Sequence, residues 1–142
     1  QARHYSRAWA GLNVMRWQDD IGLNVKPYEI TGSGTMLLCA NREGLSRAFD
    51  VSSIPGQGAC PEAVSFTSPG QASRQLRELL ADKDRILEIA HRGRARTMRE
   101  HLWAHWAERV RLGISTGGQV ETKMGMEAVA SCHQPRGTHV RV

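Results

Sequence analysis

No long apolar run occurs in this sequence: the longest, residues 36–40, falls far short of the ~20 residues that a membrane-crossing helix needs. The first residues also lack the basic-then-apolar layout of a secretory leader, so the expectation is a chain that does not span a membrane. Cysteine is scarce and odd in number; Cys39, Cys60 and Cys132 have no close pairing, which argues against a disulfide framework and for a reducing, cytoplasmic compartment. No internal repeat is evident. A glycine fingerprint for phosphate is missing too, because Gly32 and Gly34 are wrongly spaced and follow a helical segment instead of opening one. Metal-ligand spacing is equally poor. His101 and His105 stand one helical turn apart without an acidic third ligand, and Cys132, His133 and His139 offer a single thiolate in an aperiodic stretch. Neither a metal nor a bound cofactor is expected.

What remains is a chain of 142 residues and 15.8 kDa with 40% hydrophobic and 23% charged residues, enough for one core and too little for two. Its first residue is Gln and not Met, which reads as a fragment or a processed product. The formal charge of +5 is unevenly spread: residues 1–72 carry six basic and six acidic side chains, residues 73–112 ten and six, and residues 113–142 three and two.

Residues 5–10 have helical composition and run into GLNVM at 11–15, a short buried strand. A loop with Arg16, Asp19, Asp20 and Gly22 follows, and PYEIT at 27–31 predicts a short helix opened by Pro27 and ended by Gly32 and Gly34. TMLLCA at 35–40 is apolar on both faces, as a central parallel strand covered by helices must be. Residues 44–49 suit one or two helical turns, residues 52–61 an irregular loop, and AVSFT at 63–67 a third strand. After Ser68 comes a helix with Leu76, Leu79 and Leu80, then a second opened by Asp82 or Lys83 and carrying Ile86, Leu87, Ile89 and Ala90. Gly93 is expected to interrupt it. A last helix from about residue 96 to 112 places Met98, Leu102, Trp106 and Val110 on one stripe with Trp103 beside it. Residues 1–112 thus read as one α/β domain, a partial Rossmann-like parallel sheet of about three strands with C-terminal helices, and residues 113–142 as a loose tail. Three strands are half of a doubly wound nucleotide-binding domain.

The chemistry concentrates between residues 22 and 38. A loop-to-helix junction after a first strand is where open α/β sheets place ligands, and Lys26 adds a positive charge there. Glu29, three residues on, shares its face and could accept hydrogen bonds from two sugar hydroxyls while the lysine and nearby amides hold a diphosphate. The same residues admit a purely structural account. With Lys26 as cap, Glu29 is the third helical residue, where a carboxylate satisfies its own helix start. Local spacing leaves both readings open.

Residues 5–110 resemble the C-terminal portion of the CgeB-like, family 1 type glycosyltransferases of the two-domain GT-B architecture. The matching elements are GLNV at 11–14, KPYE at 26–29, GTMLL at 34–38, GLSRAF at 44–49, VSFTSP at 64–69, and IAHRG at 89–93 followed by REH at 99–101, in the same order and spacing. The resemblance implies a protein that binds a nucleotide diphosphate sugar through this portion and transfers the sugar to an acceptor held by an N-terminal domain. By position, Glu29 would bind the ribose hydroxyls, Lys26 would face the diphosphate, and the amides near Asn24 and Val25 would assist. Many relatives in the wider fold carry another Glu eight positions earlier; Ile21 stands there in this chain, with Asp19 and Asp20 nearby. Because an acceptor domain has no room ahead of Tyr5, the expectation is a donor-binding piece that does not transfer sugar alone. Trp103 and Trp106 would then be uncovered and favour self-association. The alternatives are a non-catalytic binding or assembly module of the same fold and, further back, a nucleic-acid binder. The latter would use Arg92, Arg94, Arg96 and Arg99, although Glu88, Glu100 and Glu108 interrupt that run.

Overall fold

The computed structural model describes residues 2–15, 22–52 and 61–115. Arg16, Asp19, Asp20 and Ile21, the 53–60 part of the expected loop with Cys60, and residues 116–142 with Cys132, His133 and His139 lie outside the described residues. The chain divides into two compact units, Gln1–Ala107 and Glu108–Val142.

In the first unit the order is α1 (Ala2–Tyr5), β1 (Ala10–Asn13), α2 (Lys26–Gly32), β2 (Met36–Ala40), α3 (Glu43–Ala48), β3 (Val51–Ser52), β4 (Ala63–Phe66), α4 (Pro69–Leu80), α5 (Lys83–Glu100) and the start of α6 (Trp103–Ser115). All strands pair in parallel, in the order β1-β2-β4-β3. The class is α/β, a partial Rossmann-like sheet with C-terminal helices. Among the described residues the sheet has four strands instead of about three: β3 is two residues long, too short for any hydropathy period, and it pairs with the far side of β4. Helical residues at 5–10 reduce to the single Tyr5 at the end of α1.

β2 occupies an interior position, and both its faces are buried. Met36 and Leu38 point into one layer with Val64, Phe66, Leu79, Ile86 and Ile89, while Leu37 and Cys39 point into the other with Ile30, Leu45, Phe49 and Ala63. Each fully buried Leu or Ile contributes about 1.5–3 kcal/mol relative to exposure, so this strand anchors both layers. Burial pushes the Cys39 thiol up, against the opposing hydrogen bond donated by Asn13 Nδ2 at 3.4 Å.

The helices start where local chemistry directs. Ser68 Oγ accepts from the Gln71 amide at 3.2 Å with Pro69 in the first turn, and Asp82 Oδ1 accepts from the Arg85 amide at 3.0 Å. α2 ends in a Schellman arrangement, in which Gly34 at φ +79° donates to Thr31 O and Thr35 donates to Ile30 O. α5 departs from expectation at Gly93, which does not interrupt it. A Cβ there would sit 2.5 Å from the Glu62 carbonyl oxygen, so the missing side chain allows a close crossing. α5 belongs to both layers. Its first half buries Ile86, Ile89 and Ala90 in one, and Thr97 Oγ1 then lies 2.6 Å from Thr31 Oγ1 of α2 in the other.

The expected last helix is really two. The break falls at His101 and Leu102, where His105 Nδ1 accepts from the Leu102 amide at 3.1 Å and opens α6. The expected stripe is therefore split, with Met98 on α5, Leu102 at the junction and Trp106 and Val110 on α6, all exposed. In the second unit the described residues complete α6, so residues 113–115 are helical and not part of a loose tail. There Arg111 donates to both Glu108 carboxylate oxygens, at 2.8 and 2.6 Å. Among the described residues no helix is long and apolar enough to cross a membrane.

Candidate functional site

The start of α2 is set by Asn24 and Pro27. Asn24 Oδ1 accepts from the Lys26 amide at 3.1 Å, and Val25, at φ −69° and ψ −21°, is the N-cap without a side-chain cap of its own. Lys26 is thus the first helical residue and Pro27 the second, which makes Glu29 the fourth. The capping-box geometry, which needs the carboxylate at the third position, is not formed. The same details thin the expected amide cradle: Pro27 has no N–H, and the Lys26 N–H is already taken by Asn24. Positive charge at this end therefore rests on the Lys26 side chain.

Lys26 Nζ lies 3.4 Å from Glu29 Oε2, with the two side chains 38% and 34% exposed. Such a pair on a helix surface stabilises by only a few tenths of a kcal/mol. Glu29 Oε2 is nevertheless shut off from solvent and, among the described residues, has the Lys26 ammonium beside it but no hydrogen bond of good geometry. The ion pair leaves this carboxylate oxygen with room to accept a better-aligned donor.

That carboxylate borders a hollow of about 410 Å³ between α2 and the α5–α6 junction. Val25, Tyr28, Glu29 and Gly32 form a continuous stripe of α2 along one wall; Thr97, Met98, His101 and Leu102 form the other, with Trp103 and Trp106 at the end. Asn24 and Val25 line it with Glu29, whereas Lys26 does not. The floor is braced by rings: Tyr28 and His101 centroids are 4.9 Å apart, and both face Phe49, at 5.7 and 5.6 Å. His101 Nε2 lies 3.1 Å from the Ala48 carbonyl, which can only accept, so that nitrogen carries the proton. His101 and His105 are thereby drawn into separate structural tasks, one against Ala48 and the other at the start of α6.

A second hollow, of about 780 Å³, lies at the carboxyl ends of β1, β2 and β4, lined by Leu12, Ala40, Asn41, Arg42, Phe66 and Ser68 among others. Sequence reasoning missed it. Only the general rule that open parallel sheets bind ligands at their carboxyl ends could have pointed there. Of the expected site residues, Asn24, Val25, Lys26 and Glu29 come together at the start of α2, and none of them lines this second hollow.

The basic stretch is largely paired. Arg92 meets Glu88 at 3.0 Å, Arg96 meets Glu100 at 3.1 Å and Glu62 at 3.8 Å, and Arg99 meets Glu100 at 2.9 Å. Hydrogen bonding from Arg85, and more weakly from Arg92, holds the Glu88 carboxyl below its usual range.

A family model described as glycosyl transferase-like matches residues 1–111 of the chain. No curated protein and no solved structure matches it.

Proposed function

Because the chain belongs to the glycosyl transferase-like family, we propose that it is the donor-binding portion of a sugar-transfer site and takes a nucleotide diphosphate sugar at the start of α2. In this reading Glu29 accepts hydrogen bonds from the ribose hydroxyls. Lys26 swings from Glu29 towards the diphosphate, and the backbone at Asn24 and Val25 assists. The carrying observation is the Glu29 carboxylate, whose Oε2 is shut off from solvent and, among the described residues, faces the Lys26 ammonium at 3.4 Å without a hydrogen bond of good geometry, with an open hollow next to it. A hydroxyl donor from the hollow would supply the aligned hydrogen bond that this ion pair does not. The lysine supplies the positive charge, so the reading requires no metal or further cofactor. Acceptor binding falls to a second domain, as in the two-domain architecture the sequence resembles, and this chain alone binds donor without transferring it. Holding donor and acceptor in register supplies much of the rate in such reactions.

Two other readings are weaker. A non-catalytic assembly module of the same fold is favoured by Trp103, which is 81% exposed. A nucleic-acid surface is disfavoured because Arg92, Arg96 and Arg99 each already face a glutamate.

Calorimetric titration with uridine, guanosine, thymidine and adenosine diphosphates tests the proposal. Glu29→Ala is expected to weaken the best ligand by about tenfold or more, in line with losing hydrogen bonds to a charged group. Lys26→Ala should weaken it by a smaller, salt-sensitive factor. Binding that both variants leave unchanged refutes the site; no binding by the parent chain, together with a mass that rises with concentration, selects the assembly module.

A further inference from the structure

One face of the sheet meets different surroundings at β1 and at β2. Ala10 and Leu12 stand beside Met36 and Leu38 in parallel register. Leu38 and Phe66 are buried in the layer that holds α4 and α5, whereas Leu12 and Val14 are 60% and 66% exposed. The uncovered strip is part of the hollow at the carboxyl ends of the strands, which Ala72 and Leu76 of α4 also line. Its volume of about 780 Å³ lies within the range of small-ligand pockets. The body of this hollow is aliphatic apart from Phe66, and polar groups gather where β2 and β4 end, at Asn41, Arg42, Thr67 and Ser68.

Among the described residues Arg42 brings the one charge to this lining, and no acid joins it. A guanidinium offers five N–H donors in a planar fork that matches a carboxylate or a phosphate. That of Arg42 makes one hydrogen bond among the described residues, from Nη1 to the Asn41 carbonyl at 3.0 Å, while Nε is shut off from solvent without a partner. The adjacent acid, Glu43, is turned to Arg47. α4, twelve residues long, starts at the same rim and adds the partial positive charge of its amino-terminal end. We propose that this hollow binds an anionic amphiphile, an aliphatic chain ending in a carboxylate or phosphate, with the chain along Leu12, Val14, Leu38 and Leu76 and the head group on Arg42. The single ring, Phe66, gives a flat aromatic ligand no second surface, so an aliphatic body suits the lining better. None of Asn24, Val25, Lys26 and Glu29 lines this hollow, and the site stands whether or not α2 takes a donor.

The test titrates octanoate and octyl phosphate, below their micelle-forming concentrations, into the full chain and follows backbone amide chemical shifts, with octanol, inorganic phosphate and uridine diphosphate as comparators. Expected are saturable shifts at Leu12, Ala40 and Ser68 with either anion, and binding at least about tenfold weaker for octanol and for inorganic phosphate. Arg42→Ala should cost about tenfold in affinity, part of which Arg42→Lys restores by keeping the charge without the fork. Leu12→Asp changes a residue that is already exposed and sets an acid in the lining, so it should weaken both anions by a similar factor with the circular dichroism of the parent; it keeps the test decisive if Arg42→Ala does not fold. Octanol that binds as tightly as octanoate, with Arg42→Ala without effect, overturns the site in favour of a plain apolar surface. Inorganic phosphate that binds as tightly as octyl phosphate overturns the role of the chain, and displacement of either amphiphile by uridine diphosphate gives the hollow to the nucleotide instead. No binding of either anion overturns the site outright, and a mass that then doubles with concentration gives the face to a second copy of the chain.

Discussion

α5 and α6 are neighbours in the chain and both amphipathic by pattern, yet α5 buries Ile86, Ile89, Ala90, Gly93 and Thr97 while α6 buries nothing. The difference lies in what each meets. α5 finds apolar side chains of β2 and β4 on one side and α2 on the other, whereas among the described residues the apolar positions of α6 stay exposed. A hydrophobic period predicts a helix and a preferred face; only a complementary surface turns that face into stability. In this chain Trp103 and Trp106 of α6 line the candidate site.

Three substitutions would break or sharpen this contrast, and denaturant midpoints measure all of them. Ile89→Ala, at a position with no exposure, should cost about 2–5 kcal/mol. Gly93→Ala is a sharper probe, since helix propensity alone favours alanine by about 1 kcal/mol. The collision of its Cβ with the Glu62 carbonyl should reverse that sign and leave a net loss of about 1–2 kcal/mol; a stabilised variant would mean that α5 and the start of β4 are not in close contact. Val110→Ala on α6, 58% exposed, should change stability by less than about 0.5 kcal/mol. A loss comparable to that of Ile89→Ala would show that α6 is packed in solution, and the comparison would fail.

Much of the fold was legible in the chain. β2 was recognisable from an apolar run on both faces, and the starts of α4 and α5 from Ser68-Pro69 and Asp82. β3 was not, because two residues carry no period and its place in the sheet depends on β4. Gly93 was misread because glycine marks both a helix break and a close approach, and only the partner, Glu62, distinguishes them. The true break at His101 and Leu102 has neither Gly nor Pro; it comes from His105 turning back to the Leu102 amide and His101 anchoring on Ala48. At the candidate site the spacing of Lys26 and Glu29 put both on one helix face, while their ion pair is seen only in the structure. The hollow was hidden, since its second wall comes from residues some seventy positions later, and its shape depends on where α5 stops.

The course of α5 has a mechanical consequence. Because one helix threads its first half into the layer of Ile86 and Ile89 and its second half against Thr31 of α2, neither layer can come away from the sheet without pulling on the other. Loosening the Thr31–Thr97 clasp would be felt at both sides of the sheet, and the wall of the hollow that Thr97 and His101 provide would be lost in the same event. The fold and its candidate pocket hang from a common strut.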